Sequence, residues 1–183
     1  MWRNTDETYG LLAIVLHWTM ALVVIGLFVL GLWMVDLSYY DPWYRRGPEI
    51  HKGIGILLFA ALLARLLWRQ ANPVPRPEPG VTELERKLSR IVHALLYVLL
   101  FAIMISGYLI STADGRGIDV FGLFQVPATL KGIPGQADIA GEVHFILAVS
   151  TITLAVIHAL AAFKHHFVNR DRTLVRMLRA RKP

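Results

Sequence analysis

Seven histidines occur in this chain, and five of them, His17, His51, His93, His144 and His158, fall in or at the edge of long apolar stretches. Ionisable groups are costly inside a membrane and need a cause. A single imidazole there can simply hydrogen-bond to a neighbouring helix. Five spread over four stretches suit a shared cofactor, because neutral imidazole is a common ligand for transition metals and haem iron. His144 and His158 are 14 residues apart. On a helix, 14 steps of about 100° end about 40° short of four turns, so the two share a face, roughly 21 Å apart along the axis. That is too far to chelate one ion and suits two cofactors at two depths.

The same step leads from His17 to Gly31, from His93 to Gly107 and from His51 to Arg65. A glycine lets a helix backbone come close to a flat macrocycle. Arg65 suits a carboxylate such as a haem propionate, or else snorkels to the interface. An iron with two axial histidines has no open position, so it passes single electrons and binds neither oxygen nor substrate at the metal.

The elements that must position these residues are legible in the composition. Of 183 residues, 55% are hydrophobic and 17% charged, against about a quarter charged in soluble domains. Residues 11–35, 91–113 and 143–163 carry no formal charge, and residues 50–68 are apolar except for His51, Lys52 and Arg65. Each can cross about 30 Å of hydrocarbon. The first is too long for a signal-peptide core and lacks a cleavage site. No stretch alternates in the manner of a β-barrel strand. The expected fold is an all-α, integral membrane four-helix bundle, one domain over residues 1–183. The absence of cysteine excludes disulfides, iron–sulfur clusters, thiolate zinc sites and covalent C-x-x-C-H haem.

Lys and Arg concentrate at the N-terminus (Arg3), the second connection (Arg69, Arg76, Arg86, Lys87, Arg90) and the tail (Lys164, Arg170, Arg172, Arg176, Arg179, Arg181, Lys182). The opposite side has only Arg45, Arg46, Lys52, Arg116 and Lys131. The positive-inside rule therefore puts both termini in the cytoplasm. The net charge of +6 is then a membrane anchor that attracts anionic lipid, with no call for nucleic acid. In this orientation His51 and His144 lie at the outer level, and His17, His93 and His158 at the inner level. The candidate pairs are His51 with His144, and His158 with either His17 or His93.

Four prolines within residues 71–80 mark an extended link between helices two and three. The aromatics Tyr39, Tyr40, Trp43 and Tyr44 in the first outer connection suit the headgroup level. The apolar run Val120-Phe121-Gly122-Leu123-Phe124 in the second suits the membrane interface.

Several local signatures add to this. They are Leu16-His17-Trp18, His51-Lys52-Gly53-Ile54-Gly55, Arg65-Leu66-Leu67-Trp68-Arg69 with Asn72-Pro73, His93-Ala94-Leu95-Leu96-Tyr97, Ser106-Gly107, Phe121-Gly122-Leu123-Phe124, and His158 followed by Lys164-His165-His166-Phe167. Together, over nearly the whole chain, they resemble the bacterial cytochrome b561 family. The resemblance implies a multi-pass protein of the bacterial inner membrane with two non-covalent haems b. It implies His17 with His158 as ligands of the inner haem iron and His51 with His144 as ligands of the outer one. His93 is then left to hydrogen-bond to a propionate or a quinone.

The implied activity is superoxide oxidation coupled to ubiquinone reduction. Arg45, Arg46, Lys52 and Arg116 would attract the superoxide anion, although acidic residues share those loops. His165, seven residues past His158 and about 20° short of two turns from it, is the first choice for a quinone contact, with His166 beside it. An alternative function is a haem-bearing membrane anchor that exchanges electrons with a periplasmic redox protein such as a hydrogenase or formate dehydrogenase. A haem-free transporter using histidine proton relays would leave the paired levels without a cause.

Overall fold

In the computed structural model, which describes residues 1–180, four long helices dominate: α1 (Leu11–Met34), α2 (Arg46–Gln70), α3 (Glu83–Thr112) and α4 (Gln136–Phe167). Arg181 and Lys182, counted above among the basic tail residues, lie outside the described residues. All four helices are long and apolar enough to cross a membrane. α2 and α4 run past their apolar stretches at both ends and α3 at its N-terminal end, because a helix needs no lipid to continue through a polar turn that is capped. At α3, Thr82 and Glu85 form a capping box: the Thr82 amide donates to the Glu85 carboxylate (2.9 Å) and the Glu85 amide to the Thr82 hydroxyl (3.2 Å).

Large apolar side chains face outward, among them Leu22, Val29, Leu67, Val98, Ile105, Phe145 and Leu160, while Ser106, Thr112 and Thr151 are buried. That inversion fits a bundle solvated by hydrocarbon. The buried hydroxyls are satisfied within their own helices, Thr112 by the Tyr108 carbonyl (2.9 Å) and Thr151 by the Leu147 carbonyl (2.7 Å).

The chain divides into two compact units, and each draws a segment from all four helices. The termini-bearing unit comprises residues 1–21, 61–97 and 153–180; the other comprises residues 22–60 and 98–152. In the termini-bearing unit the N-terminal segment, the proline-rich link and the tail fold together. The Asn4 side-chain amide donates to the Pro73 carbonyl (3.0 Å). The guanidinium of Arg176 is buried, donating to the carbonyls of Glu7 and Arg76 and pairing with Glu78 (3.0 Å). Lys164 pairs with Glu85 (2.6 Å). The tail is therefore more than a solvated lipid anchor: Arg176, one of its cations, is a buried clasp.

The second unit contains a feature that the apolar run conceals. Residues 118–126 form a β-hairpin in which β1 (Ile118–Val120) pairs antiparallel with β2 (Phe124–Val126). Phe121 and Gly122 take positive φ (55° and 72°), the left-handed pair of a hairpin turn. Ile118 and Val120 are buried, whereas Leu123 at the tip is exposed. This is a small β element in an otherwise helical protein, and it packs the Phe121 ring against Gly53 of α2, where a Cβ would come within 2.7 Å of the ring and force it to shift.

Candidate haem sites

In the termini-bearing unit, α1, α3 and α4 bring three imidazoles together. His17 and His158 have ring centroids 6.2 Å apart, and His93 and His158 are 5.1 Å apart. Two imidazoles holding one metal ion between them, each at about 2.0 Å with about 1.1 Å from nitrogen to ring centre, would have centroids roughly 6.2 Å apart. The His17–His158 spacing matches that figure, and His93 is too close to His158 for an iron between them. His93 instead contacts the Ser89 hydroxyl through Nδ1 (3.5 Å). Arg65 reaches the same unit from α2, donating from Nε to the Tyr97 hydroxyl and from an Nη to the Ala13 carbonyl, each at 3.2 Å. Those two anchors hold it beside the histidines and use only part of its five-donor fork.

Trp18, next to His17, lies edge-on to that imidazole with centroids 5.4 Å apart. Its indole N–H donates to the Met177 carbonyl of the tail (2.7 Å).

The second unit repeats the pairing on different helices. His51 of α2 and His144 of α4 have ring centroids 6.2 Å apart. His144 Nδ1 donates to the Ile103 carbonyl (3.1 Å), with the Ser106 hydroxyl 3.0 Å away and itself donating to that carbonyl. Such a bond fixes the ring and leaves Nε2 for a metal. His51 Nδ1 is buried and has no partner within the protein.

The glycines found by the 14-residue step sit against these rings. A Cβ on Gly31 would lie 3.4 Å from His51 Cε1, and one on Gly107 would lie 3.1 Å from His144 Cε1. The close approach that they allow is thus to a histidine ring on a neighbouring helix. Two imidazole pairs at the same spacing and an arginine with free donors suit haem iron and a haem propionate, so the residues present fit the group.

Among the basic residues of the loops, Arg116 is tied to Asp114 (2.5 Å) and holds that carboxyl below its usual pKa. Arg45 and Arg46 have no carboxylate partner among the described residues. They line a shallow cavity of about 350 Å³ with Tyr39, Asp41, Pro42 and Tyr44.

At the end of α4, His165 is largely buried against the turn that follows. Its Nδ1 meets the Asp171 carboxylate at 2.5 Å, and both side chains are largely buried. Burial opposes the charge of Asp171, yet the Thr173 hydroxyl and amide and His165 hold its pKa below the ordinary value. His166 packs on Phe167 (4.8 Å). Asp171, Arg176 and Ile103 carry no motif signal in the sequence, since each acts through a contact far along the chain or through its backbone.

The sequence profile of the family described as prokaryotic cytochrome b561 matches residues 8–180. The chain belongs to the prokaryotic cytochrome b561 family. This cytochrome is similar to cytochrome b561 homolog 2 of Escherichia coli K12, with 55% identity over 96% of this chain and 93% of that protein. It is also similar, at 30% identity over 94% and 96% of the two chains, to a Yersinia pestis protein named probable superoxide oxidase. Cytochrome b562 of Cereibacter sphaeroides is 30% identical over 96% of this chain and 98% of its own. As a prokaryotic cytochrome b561 the protein is a multi-pass membrane haem protein of electron transport.

Proposed function

We propose that this cytochrome holds two haems b, one between His17 and His158 and one between His51 and His144, and that it oxidises superoxide and reduces ubiquinone in the bacterial inner membrane. The observation that carries the proposal is the equal separation of the two histidine pairs, 6.2 Å in each. A haem held by two histidines would supply one-electron redox chemistry. The balanced reaction is two superoxide anions, one quinone and two protons giving two molecules of oxygen and one quinol.

The chain's own residues have separable tasks. His144 is held in one tautomer by the Ile103 carbonyl, and Gly31 and Gly107 leave room for the rings of His51 and His144. Arg65, fixed by Tyr97 and Ala13, offers its remaining N–H groups to a propionate. Arg45 and Arg46, unpaired among the described residues in a cavity that they share with Asp41, Tyr39 and Tyr44, would raise the encounter rate of a small anion, as would Lys52 beside His51. Arg116 is largely neutralised by Asp114. The name of the Yersinia pestis relative supports superoxide as the donor.

The test is a visible spectrum of the detergent-purified protein, with haem counted as the pyridine haemochrome, followed by addition of superoxide and then a short-chain ubiquinone. About two haems b per chain, reduced by superoxide and reoxidised by the quinone, is the expected result. Haems that superoxide leaves oxidised would point to a periplasmic protein donor and an anchor role.

A further inference from the structure

The indole of Trp18 is held by a part of the chain that haem ligation does not call for. Adjacent residues on a helix point about 100° apart and do not face each other. Trp18 nevertheless lies edge-on to the His17 imidazole, with ring centroids 5.4 Å apart and planes at 68°. The contact that holds it there comes from outside α1: the indole N–H donates to the Met177 carbonyl (2.7 Å). Met177 ends a short 3-10 turn (Val175–Met177), and the last carbonyls of a helical turn have no donor of their own. Trp18 is two turns into α1, roughly 10 Å along its axis, so the tail lies against the helix rather than beyond its end.

The turn is itself fixed. Its Arg176 is buried, donates to the carbonyls of Glu7 and Arg76 (2.8 Å to the latter) and pairs with Glu78 (3.0 Å). The residue that closes the clasp is thus the neighbour of the carbonyl that holds Trp18. A metal-bound histidine is usually oriented by a partner beyond the metal. His144 has the Ile103 carbonyl for this (3.1 Å), whereas at His17 the Trp18 ring is in contact instead.

We propose that Trp18 is a positioning residue for the His17 imidazole, and that the tail sets it in place through Arg176 and the Met177 carbonyl. This rests on the reading that His17 and His158 hold a haem between them. It goes beyond that reading by tying the properties of that haem to the folding of the terminal segments. The orientation and surroundings of an axial imidazole tune a haem's reduction potential and its low-spin EPR signal. His51 and His144 belong to the other unit and serve as an internal reference.

The experiment uses the full-length, haem-loaded protein and its Trp18→Phe, Arg176→Gln and doubly substituted variants. Trp18→Phe keeps an aromatic ring but has no N–H to donate. A redox titration followed by EPR reads each haem separately, pyridine haemochrome counts them, and His17→Ala identifies which signal belongs to the His17 haem. Each single variant should keep about two haems per chain. Each should shift the reduction equilibrium of the His17 haem about threefold, which is roughly 30 mV for one electron, and should move its EPR signal. The other haem should keep its wild-type potential and signal. The double variant should shift no further than either single one, because both break the same path. Wild-type potentials and signals in both single variants, with only the melting temperature lowered, overturn the proposal and leave the clasp as a structural tie. Additive shifts in the double variant overturn the role of the tail in placing Trp18. If His17→Ala retains two haems, the ligand reading itself fails and the positioning role falls with it.

Discussion

At the residue scale, His158 has two neighbours, and their distances give them different chemistry. His17 at 6.2 Å leaves room for an iron; His93 at 5.1 Å does not. His93→Ala should therefore keep about two haems per chain by pyridine haemochrome, whereas His17→Ala should fall to about one. His144→Ala and His158→Ala should each remove one haem and leave the other, which spectra taken at successive potentials would separate. Loss of both haems from either change would contradict independent sites. The glycines give a graded test, since a methyl group on Gly107 meets His144 at 3.1 Å and one on Gly31 meets His51 at 3.4 Å. Gly107→Ala should shift the spectrum of the second-unit haem, and Gly31→Ala should shift it less. The 14-residue step singled out both glycines, but only the packed rings show what they accommodate.

At the scale of elements, the tail is the part that composition described least well. Read as a run of cations it is an anchor for anionic lipid, yet Arg176 is buried and clasps the N-terminal segment, the link and Glu78. Removing one partner of a buried pair strands the other, so Arg176→Gln should cost about 3 kcal/mol, measured as a fall in melting temperature monitored by Trp18 fluorescence. Asp171 adds a pH dependence of known sign. Its carboxyl is held below the ordinary value, so it contributes stability fully above the ordinary carboxylate range and loses it as pH falls through the lowered value. Protection of the amides of residues 171–177 from hydrogen exchange, taken relative to the intrinsic rate at each pH, should accordingly be high at neutral pH and should fall in acid. The hairpin of residues 118–126 has no signature in the sequence for a related reason: three-residue strands are too short to establish a period, and its turn has Phe121 where glycine or asparagine is usual.

At the scale of the whole molecule, four spans put both termini on one side, and the bonds from Arg176 to the Glu7 carbonyl join the two terminal segments directly. The chain has no cysteine, so single-cysteine variants report orientation cleanly. With the termini in the cytoplasm, Ser38→Cys should react with an impermeant maleimide in cells whose outer membrane is permeabilised, and Arg3→Cys only after lysis. The reverse pattern would invert the proposed electron path. The sequence alone determined the four spans, the charge asymmetry and the two levels of histidines, because hydropathy is a sum over local residues and the rise and rotation of a helix are fixed per residue. The tertiary structure decided what depends on contacts between distant parts of the chain. It placed His17 rather than His93 at iron-spanning distance from His158, set each glycine against an imidazole of another helix, and turned the end of α4 back so that Asp171 meets His165. Those outcomes depend on the packing of one helix against the next and on the path of each turn, and neither follows from residue spacing along a single helix.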